Sequence, residues 1–425
     1  MSLAEAGEGL LGTHVTWDAI ECKLKKALHT QAKFGASKKA QHIGDSQGFM
    51  SKIVLIDCDW IDLTNGEKLP KRFVIKMATC MTAKKMDEDN VFEKPTDPEM
   101  AEKMWTNFEV FLKEIHNLEC ALYDFVRQFK EEVIIPRSYY AVPFDDENPL
   151  AGQIALEYIS NATIRHLHEF LTIHQMKQVA RELGKIQAFA HKQKVYEVKK
   201  ITQKRDCYTG LWQSFDIDLF KQMLFGLTTI ESSESFKELI DKVADLIPKY
   251  FGSNLAVTLY RQLGHTPVLV NGDLWSANVM VDKDSEEVRA LIDWQLAHIG
   301  SGAEDLFRIS FSALSSRDRR EHMEELIEIL HESLVEHMEG QPVPYTLEQL
   351  KDTSRILMPH YGWFFAPVAM PIFMETVQNK QIPEEVKKEM TGIVRGIFED
   401  ILEHDVINDE DERKFEWKMP DYWKE

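Results

Sequence analysis

The sequence predicts an α+β fold in two lobes, a small antiparallel-sheet N-lobe and a larger, mainly helical C-lobe. Three observations predict it. At 425 residues the chain is too long for one ordinary compact unit. Short apolar runs separated by turn residues occupy much of the first 160 positions, around one long helical pattern. Helical spacing dominates afterwards, except near 268–293, where two polar clusters sit between strand-like runs. The N-lobe is placed at 1–157, the C-lobe at 158–405 and an acidic tail at 406–425.

Composition narrows the class of function. Hydrophobic residues make up 44% of the chain, enough for substantial cores, which excludes global disorder. Lys and Arg total 50 against 70 acids, a formal charge of −20. No nucleic-acid or anionic-membrane partner is expected, because phosphate surfaces reward clustered positive charge. The five cysteines (Cys22, Cys58, Cys80, Cys120, Cys207) lie far apart with no C-x-x-C pair. That pattern argues against a disulfide framework or a zinc site and suits a reducing cytosol. The start lacks the basic segment and apolar run of a signal peptide. The most apolar late stretch, 361–374, is too short for a membrane span and carries Pro367 and Pro371. A cytoplasmic protein without a membrane span is expected. The sequence carries no signal for oligomeric state.

In chain order, Trp17–Lys33 has helical spacing, with Trp17, Ile20, Leu24, Ala27 and Leu28 on one face. Residues 43–51 form a Gly- and Ser-containing turn that runs into the strand 52–57. Such a turn can cradle phosphates with its N–H groups and with small hydroxyls such as Ser46 and Ser51, and it is equally the turn of a plain hairpin. Residues 72–77 read as a strand that delivers Lys76 after three apolar residues, suited to a point charge beside phosphates. A helical pattern with a break runs from Pro98 to Lys130. It places Ile115, Leu118, Leu122 and Phe125 on one face, with Glu119 beside that face and able to reach Lys76; Glu114 is the rival.

Strands 139–142 and 152–159 follow, and the exposed backbone of Glu157 to Ile159 could meet a purine edge. Helices are then expected at 166–174, 175–193, 214–228, 233–251 and 253–263, and later at 318–338, 346–378 and 383–404. The histidines of the first group (His166, His168, His174, His191) are at surface spacing and read as solvated or satisfied, not as a metal site.

The two polar clusters carry the chemistry. Asp273 and Asn278 lie five apart between the runs 268–270 and 279–281, and Asp293 follows the run Leu291-Ile292. Strand ends that present two carboxylates and an amide suit phosphoryl transfer with Mg²⁺ and ATP. One carboxylate accepts the proton of an attacking hydroxyl, while the other carboxylate and the amide hold the metal that bridges the phosphates.

Together these residues resemble the kinase-like small-molecule phosphotransferases, which include choline/ethanolamine kinases, aminoglycoside phosphotransferases and ecdysteroid-kinase-like proteins. The wording is closest to the uncharacterised nematode choline-kinase-like group: Gly-Phe-Met-Ser (48–51), His-Asn-x-Glu (116–119), Gly-Asp-Leu-Trp (272–275) and Arg-Arg-Glu-His (319–322). The resemblance implies a protein-kinase-like bilobal fold, with Asp273 as base and Asn278 and Asp293 as metal ligands. It further implies Lys76 on the nucleotide phosphates, Glu119 holding Lys76, the 157–159 backbone at adenine, and Asp305 bracing the catalytic loop. The acceptor it implies is a small-molecule alcohol: a choline-like amino alcohol, a sterol or a xenobiotic alcohol. Protein kinases share the Asp-to-Asn spacing, but here Ile-Asp-Trp replaces Asp-Phe-Gly and no Ala-Pro-Glu follows.

One position departs from the family pattern: Asn271 stands where the family has His two residues before the base. The alternative reading is therefore a pseudokinase, or a module binding a nucleotide or small ligand, with impaired catalysis. The aromatics Tyr361, Trp363, Phe364 and Phe365, with Trp275 and Trp294, read either as core or as a cage for a quaternary ammonium.

Overall fold

The computed structural model describes residues 2–44, 50–64, 66–88, 98–129, 133–198, 201, 217–229, 231–250, 255–368 and 381–413. The chain divides into two compact units, Met1–Lys130 with Ile135–Ser160, and Glu131–Ile134 with Asn161–Glu425.

The first unit is built on antiparallel strands. A short pair joins β1 (Lys33–Phe34) to β4 (Trp60–Ile61). The main sheet has the order β2-β3-β5-β7-β6, from β2 (Lys39–His42), β3 (Ser51–Asp57), β5 (Arg72–Ala78), β6 (Ser138–Val142) and β7 (Gln153–Glu157). One face of it packs Val54, Ile56, Phe73, Ile75 and Ala155 against Ile20 and Leu24 of the helix Trp17–Leu28. Thr16 starts that helix by accepting the Ala19 N–H, and His29 stops it in the left-handed region at φ 54°, short of the expected Lys33. A second cluster joins Ala78, Cys80 and Phe144 to Leu112 of the helix Pro98–Val126, which runs without the expected break and ends before Lys130. Strand β5 lies in the middle of the sheet, and its last four residues are all buried. Lys76 is therefore held where a lysine gains nothing from water.

The second unit is mainly helical. The helices Ile173–Lys192 and Ser316–Met338 approach so closely that a Cβ on Gly184 would lie 2.2 Å from the Leu330 carbonyl. Ser333 Oγ donates to the Arg181 carbonyl at 2.7 Å across the same seam. The helix expected at 166–174 is absent. A capping box between Thr172 and Gln175 starts the helix at Ile173 instead, and the preceding residues form turns.

Further helices span Ile217–Gly226, Glu234–Ala244, Ile247–Tyr250, Leu255–Gln262, Leu347–Val368 and Glu384–Glu410. The last one continues through most of the stretch expected as the start of a tail. Its acids find partners: Asp405 and Asp409 each lie 2.6 Å from Lys249 Nζ. Two small antiparallel sheets complete the unit, β8 (Ala162–Ile164) with β10 (Val279–Asp282) and β11 (Val288–Leu291), and β9 (Val268–Val270) with β12 (His298–Gly300). Among the described residues no helix is long and apolar enough to cross a membrane.

Candidate active site

In the first unit Lys76 Nζ meets Glu119 Oε2 at 2.7 Å, with side-chain exposures of 8% and 1%. The register of β5 explains the lysine: residue 76 pairs with Ile53 on one side and Ile154 on the other. The glutamate is positioned by the helix residues just before it. Asn117 takes the place of a strand neighbour for Phe144, accepting its N–H at 2.7 Å and donating to its carbonyl at 2.9 Å. His116 donates through Nε2 to the Val142 carbonyl at 2.9 Å, and burial pushes its ring down to about 4, which keeps it neutral. Of the two candidates, Glu119 is the one seen in an ion pair with Lys76.

Ser51 opens β3 and is buried, paired with Ala78. Ser46 lies outside the described residues, as do Gly48 and Phe49 of the turn. Glu157 ends β7, donating its backbone N–H to Arg137 O at 2.9 Å and accepting the Arg137 N–H on Oε1 at 2.7 Å. Ile159 follows, half-buried and outside the strand.

In the second unit one loop and one turn are tied residue by residue. Gly272 has φ 79°, and a Cβ there would lie 2.3 Å from the Leu296 carbonyl, so only glycine allows this approach. Asp305, on the helix Glu304–Ala313, accepts the N–H groups of Asn271 at 2.7 Å and Gly272 at 2.9 Å. Burial and the neighbouring Glu304 push the Asp305 carboxyl up to about 6, while those two donors pull it back.

Asn271 is fully buried. Its Oδ1 accepts the Asp273 N–H at 3.0 Å, and its Nδ2 donates to the carbonyls of Ile292 at 3.4 Å and Asp293 at 3.3 Å. Asn278 donates through Nδ2 to the Asp273 carbonyl at 2.7 Å, and its own carbonyl accepts the Ile292 N–H at 2.9 Å. Asp293 sits in the left-handed region at φ 57°, a strained conformation for a non-glycine residue. Asp273, Asn278 and Asp293 thus belong to one hydrogen-bonded assembly.

Its donor set is one amide oxygen and carboxylates, which suits Mg²⁺, a cation that takes few protein ligands and keeps the rest for water and phosphate. Among the described residues no group of three or more His, Cys, Asp or Glu is arranged to hold a metal ion by itself.

Two contacts of this assembly escape a reading of motifs. Arg308 Nη2 donates to Asp273 Oδ1 at 3.0 Å, and Ser312 Oγ accepts the Ser276 N–H at 2.9 Å. The available signal was the spacing of Asp305, Arg308 and Ser312, at i, i+3 and i+7 on one helix face. The aromatic run fills the interior: Tyr361 lies 6.0 Å from Phe307, Trp363 5.5 Å from Phe220, and Phe365 5.8 Å from Phe311 between ring centroids. Trp294 is also buried, with its indole N–H donated to the Leu291 carbonyl. The Phe364 side chain lies outside what is described.

The chain belongs to the family DUF1679, whose description reads "Uncharacterized oxidoreductase dhs-27"; the match spans residues 3–408. No curated protein matches the chain. Among solved structures, the chain is similar to a Ralstonia eutropha protein provisionally assigned as an aminoglycoside phosphotransferase, at 12% identity and a TM-score of 0.47, covering 91% of this chain and 98% of that one. It is similar to a microcompartment-associated aminopropanol kinase at 13% identity and a TM-score of 0.44, with the same two coverages, 91% and 98%. A Plasmodium vivax ethanolamine kinase gives 12% identity and a TM-score of 0.39 over 91% of this chain and 87% of that one. These neighbours are small-molecule phosphotransferases. Likenesses this distant leave the chemistry to be read from the residues.

The word oxidoreductase has one possible echo in the sequence. Gly7-Glu8-Gly9-Leu10-Leu11-Gly12 fits the G-x-G-x-x-G fingerprint of dinucleotide-binding folds. That fingerprint works only between a strand and a helix of a parallel sheet. Here Leu10–Gly12 forms a 3-10 turn, and every strand pair among the described residues is antiparallel. The glycines serve packing instead: a Cβ on Gly9 would lie 2.3 Å from the Val15 carbonyl.

Proposed function

We propose that this protein transfers the γ-phosphoryl group of ATP, with Mg²⁺, to the hydroxyl of a small molecule. The observation that carries the reading is the Asn278 side chain. One of its amide N–H groups is donated to the Asp273 carbonyl, which holds Asp273 in place, and its oxygen is the acceptor that would serve a metal. Asp273 is the general base that takes the hydroxyl proton. Asn278 and Asp293 would hold Mg²⁺, which would neutralise charge on the phosphates. Lys76, kept in place by Glu119, supplies a positive charge to the phosphates. Ser46, Ser51 and the backbone at Glu157 and Ile159 complete the nucleotide contacts. The acceptor class is an alcohol, with amino alcohols, sterols and xenobiotic alcohols as the panel to screen.

The pseudokinase reading rested on Asn271. Its three contacts weigh against it, since this side chain joins the base loop to the turn bearing Asp293.

The test compares two neutral variants by calorimetry of Mg-ATP and by ATP turnover. Asp273→Asn retains Mg-ATP affinity while turnover falls about 10²–10⁴-fold, the usual loss for a positioned base. Asp293→Asn loses magnesium-dependent affinity as well. Equal, undiminished affinity in both removes Asp293 as a metal ligand, and parental turnover by Asp273→Asn removes Asp273 as the base.

A further inference from the structure

We infer that Arg308 is a positioning residue for the base, setting the orientation of the Asp273 carboxylate; this rests on the phosphotransferase reading. Asn271, Asn278 and Arg308 each hold a different atom of Asp273. Asn271 Oδ1 accepts its N–H, Asn278 Nδ2 donates to its carbonyl, and Arg308 Nη2 donates to its Oδ1 at 3.0 Å. The first two fix the backbone and leave χ1 and χ2 open. Arg308 acts on the side chain itself.

Arg308 is suited to this because it is buried on a buried helix. It is 7% exposed, and all ten residues of its helix, Glu304–Ala313, are buried. Three side chains on one face of that helix address the loop in sequence. Asp305 holds residues 271 and 272, Arg308 holds 273, and Ser312 holds 276. The helix is thus a ruler laid along the catalytic loop, and Arg308 is its mark at the base. A guanidinium gives a directed, charge-assisted bond, where a lysine would give only a point charge. Misplacing a reacting group by about 1 Å can cost about 10²-fold in rate, so this contact acts on turnover and leaves ground-state nucleotide binding alone.

The experiment uses the full chain, ATP as the only substrate and water as acceptor, reading phosphate release, Mg-ATP affinity and Tm for Arg308→Met and Arg308→Lys. Arg308→Met is expected to keep Mg-ATP affinity within about threefold and to lose about 10–100-fold in turnover, with Arg308→Lys recovering part of it. In an Asp273→Asn background the same changes should cost nothing further, because Arg308 acts through Asp273. Undiminished turnover in Arg308→Met overturns the inference, as does a parallel loss of affinity, turnover and Tm that Arg308→Lys does not relieve. If Arg308→Met does not fold, Arg308→Lys decides: a turnover loss that persists undiminished in the Asp273→Asn background overturns it. A parent protein that binds no Mg-ATP fails the phosphotransferase reading, and this inference falls with it. A parent that binds and hydrolyses ATP while Arg308→Met does so equally well fails this inference alone.

Discussion

Breaking the Lys76–Glu119 pair tests stability and function separately. The two groups are 2.7 Å apart at exposures of 8% and 1%, on a central strand and on a helix clamped by Asn117. Neither can turn to water without moving its element. Glu119→Gln therefore removes a carboxylate 2.7 Å from a buried ammonium, and removing one partner of such a pair typically costs about 3–5 kcal/mol. Replacing both, Lys76→Met with Glu119→Leu, removes both charges at similar volume and is expected to lie within about 1–2 kcal/mol of the parent or above it. Function should follow the opposite order of recovery. The double variant regains stability yet still lacks the charge for phosphates, so its Mg-ATP affinity stays low. Urea denaturation gives the first quantity and calorimetry the second. A Glu119→Gln loss under about 1 kcal/mol would refute the burial argument. Parental Mg-ATP affinity in the double variant would refute the role of Lys76.

Two further predictions concern the loop and the pH response. Asn271→Ala removes the acceptor of the Asp273 N–H and the donor to two weakly bonded carbonyls, and it should cost about 2–4 kcal/mol in urea denaturation, at about 1–3 kcal/mol per strongly bonded buried group; a loss under about 0.5 kcal/mol would remove Asn271 as the tie. Burial pushes His116 down to about 4 and His360 to about 3, so their contribution is fully present above about pH 6.5 and is lost as pH falls through the window below it. Each ring weakens the fold by up to roughly 1.4 kcal/mol per pH unit, while Asp305, pushed up to about 6, works against them between about pH 4 and 6. His116→Gln should flatten the fall in urea midpoint between pH 6.5 and 4.5, and an unchanged slope would contradict the burial assignment.

What could be read from the sequence was whatever local pattern determines. Lys76 stands out because a charge after three apolar residues conflicts with a central strand, and Glu119 because helical phase sets it beside the face of Ile115, Leu118 and Leu122. The 268–293 clusters stand out because apolar strands bracket each of them. Where tertiary contacts decide, the pattern misleads. Every residue of the helix Glu304–Ala313 is buried, its polar ones included, so a polar stripe that would ordinarily read as a solvated face is turned onto the loop, and the role of Arg308 follows from what it touches. The stretch from 406 reads as an acidic tail because the partners of its acids come from distant parts of the chain: Lys249 for Asp409 and Arg355 for Asp411. A helix was expected at 166–174 from spacing alone, yet the capping box at Thr172 makes the start at Ile173 cheaper than an earlier one.

The same distinction explains how Asn271 serves where the resembling family has histidine. An asparagine reaches less far than an imidazole, so it can join two loops only if their backbones come closer. Gly272 supplies that approach. Its left-handed φ of 79° and missing Cβ let the loop lie against the Leu296 carbonyl, which any side chain would push away. Asp305 then holds the N–H groups of both 271 and 272, fixing the short reach from behind. Under that geometry one amide oxygen serves Asp273 and one amide nitrogen serves the carbonyls of Ile292 and Asp293. The substitution at 271 is thus compensated within its own loop, and a histidine placed there would have to fit a fully buried site already filled, at a typical overpacking cost of about 1–3 kcal/mol.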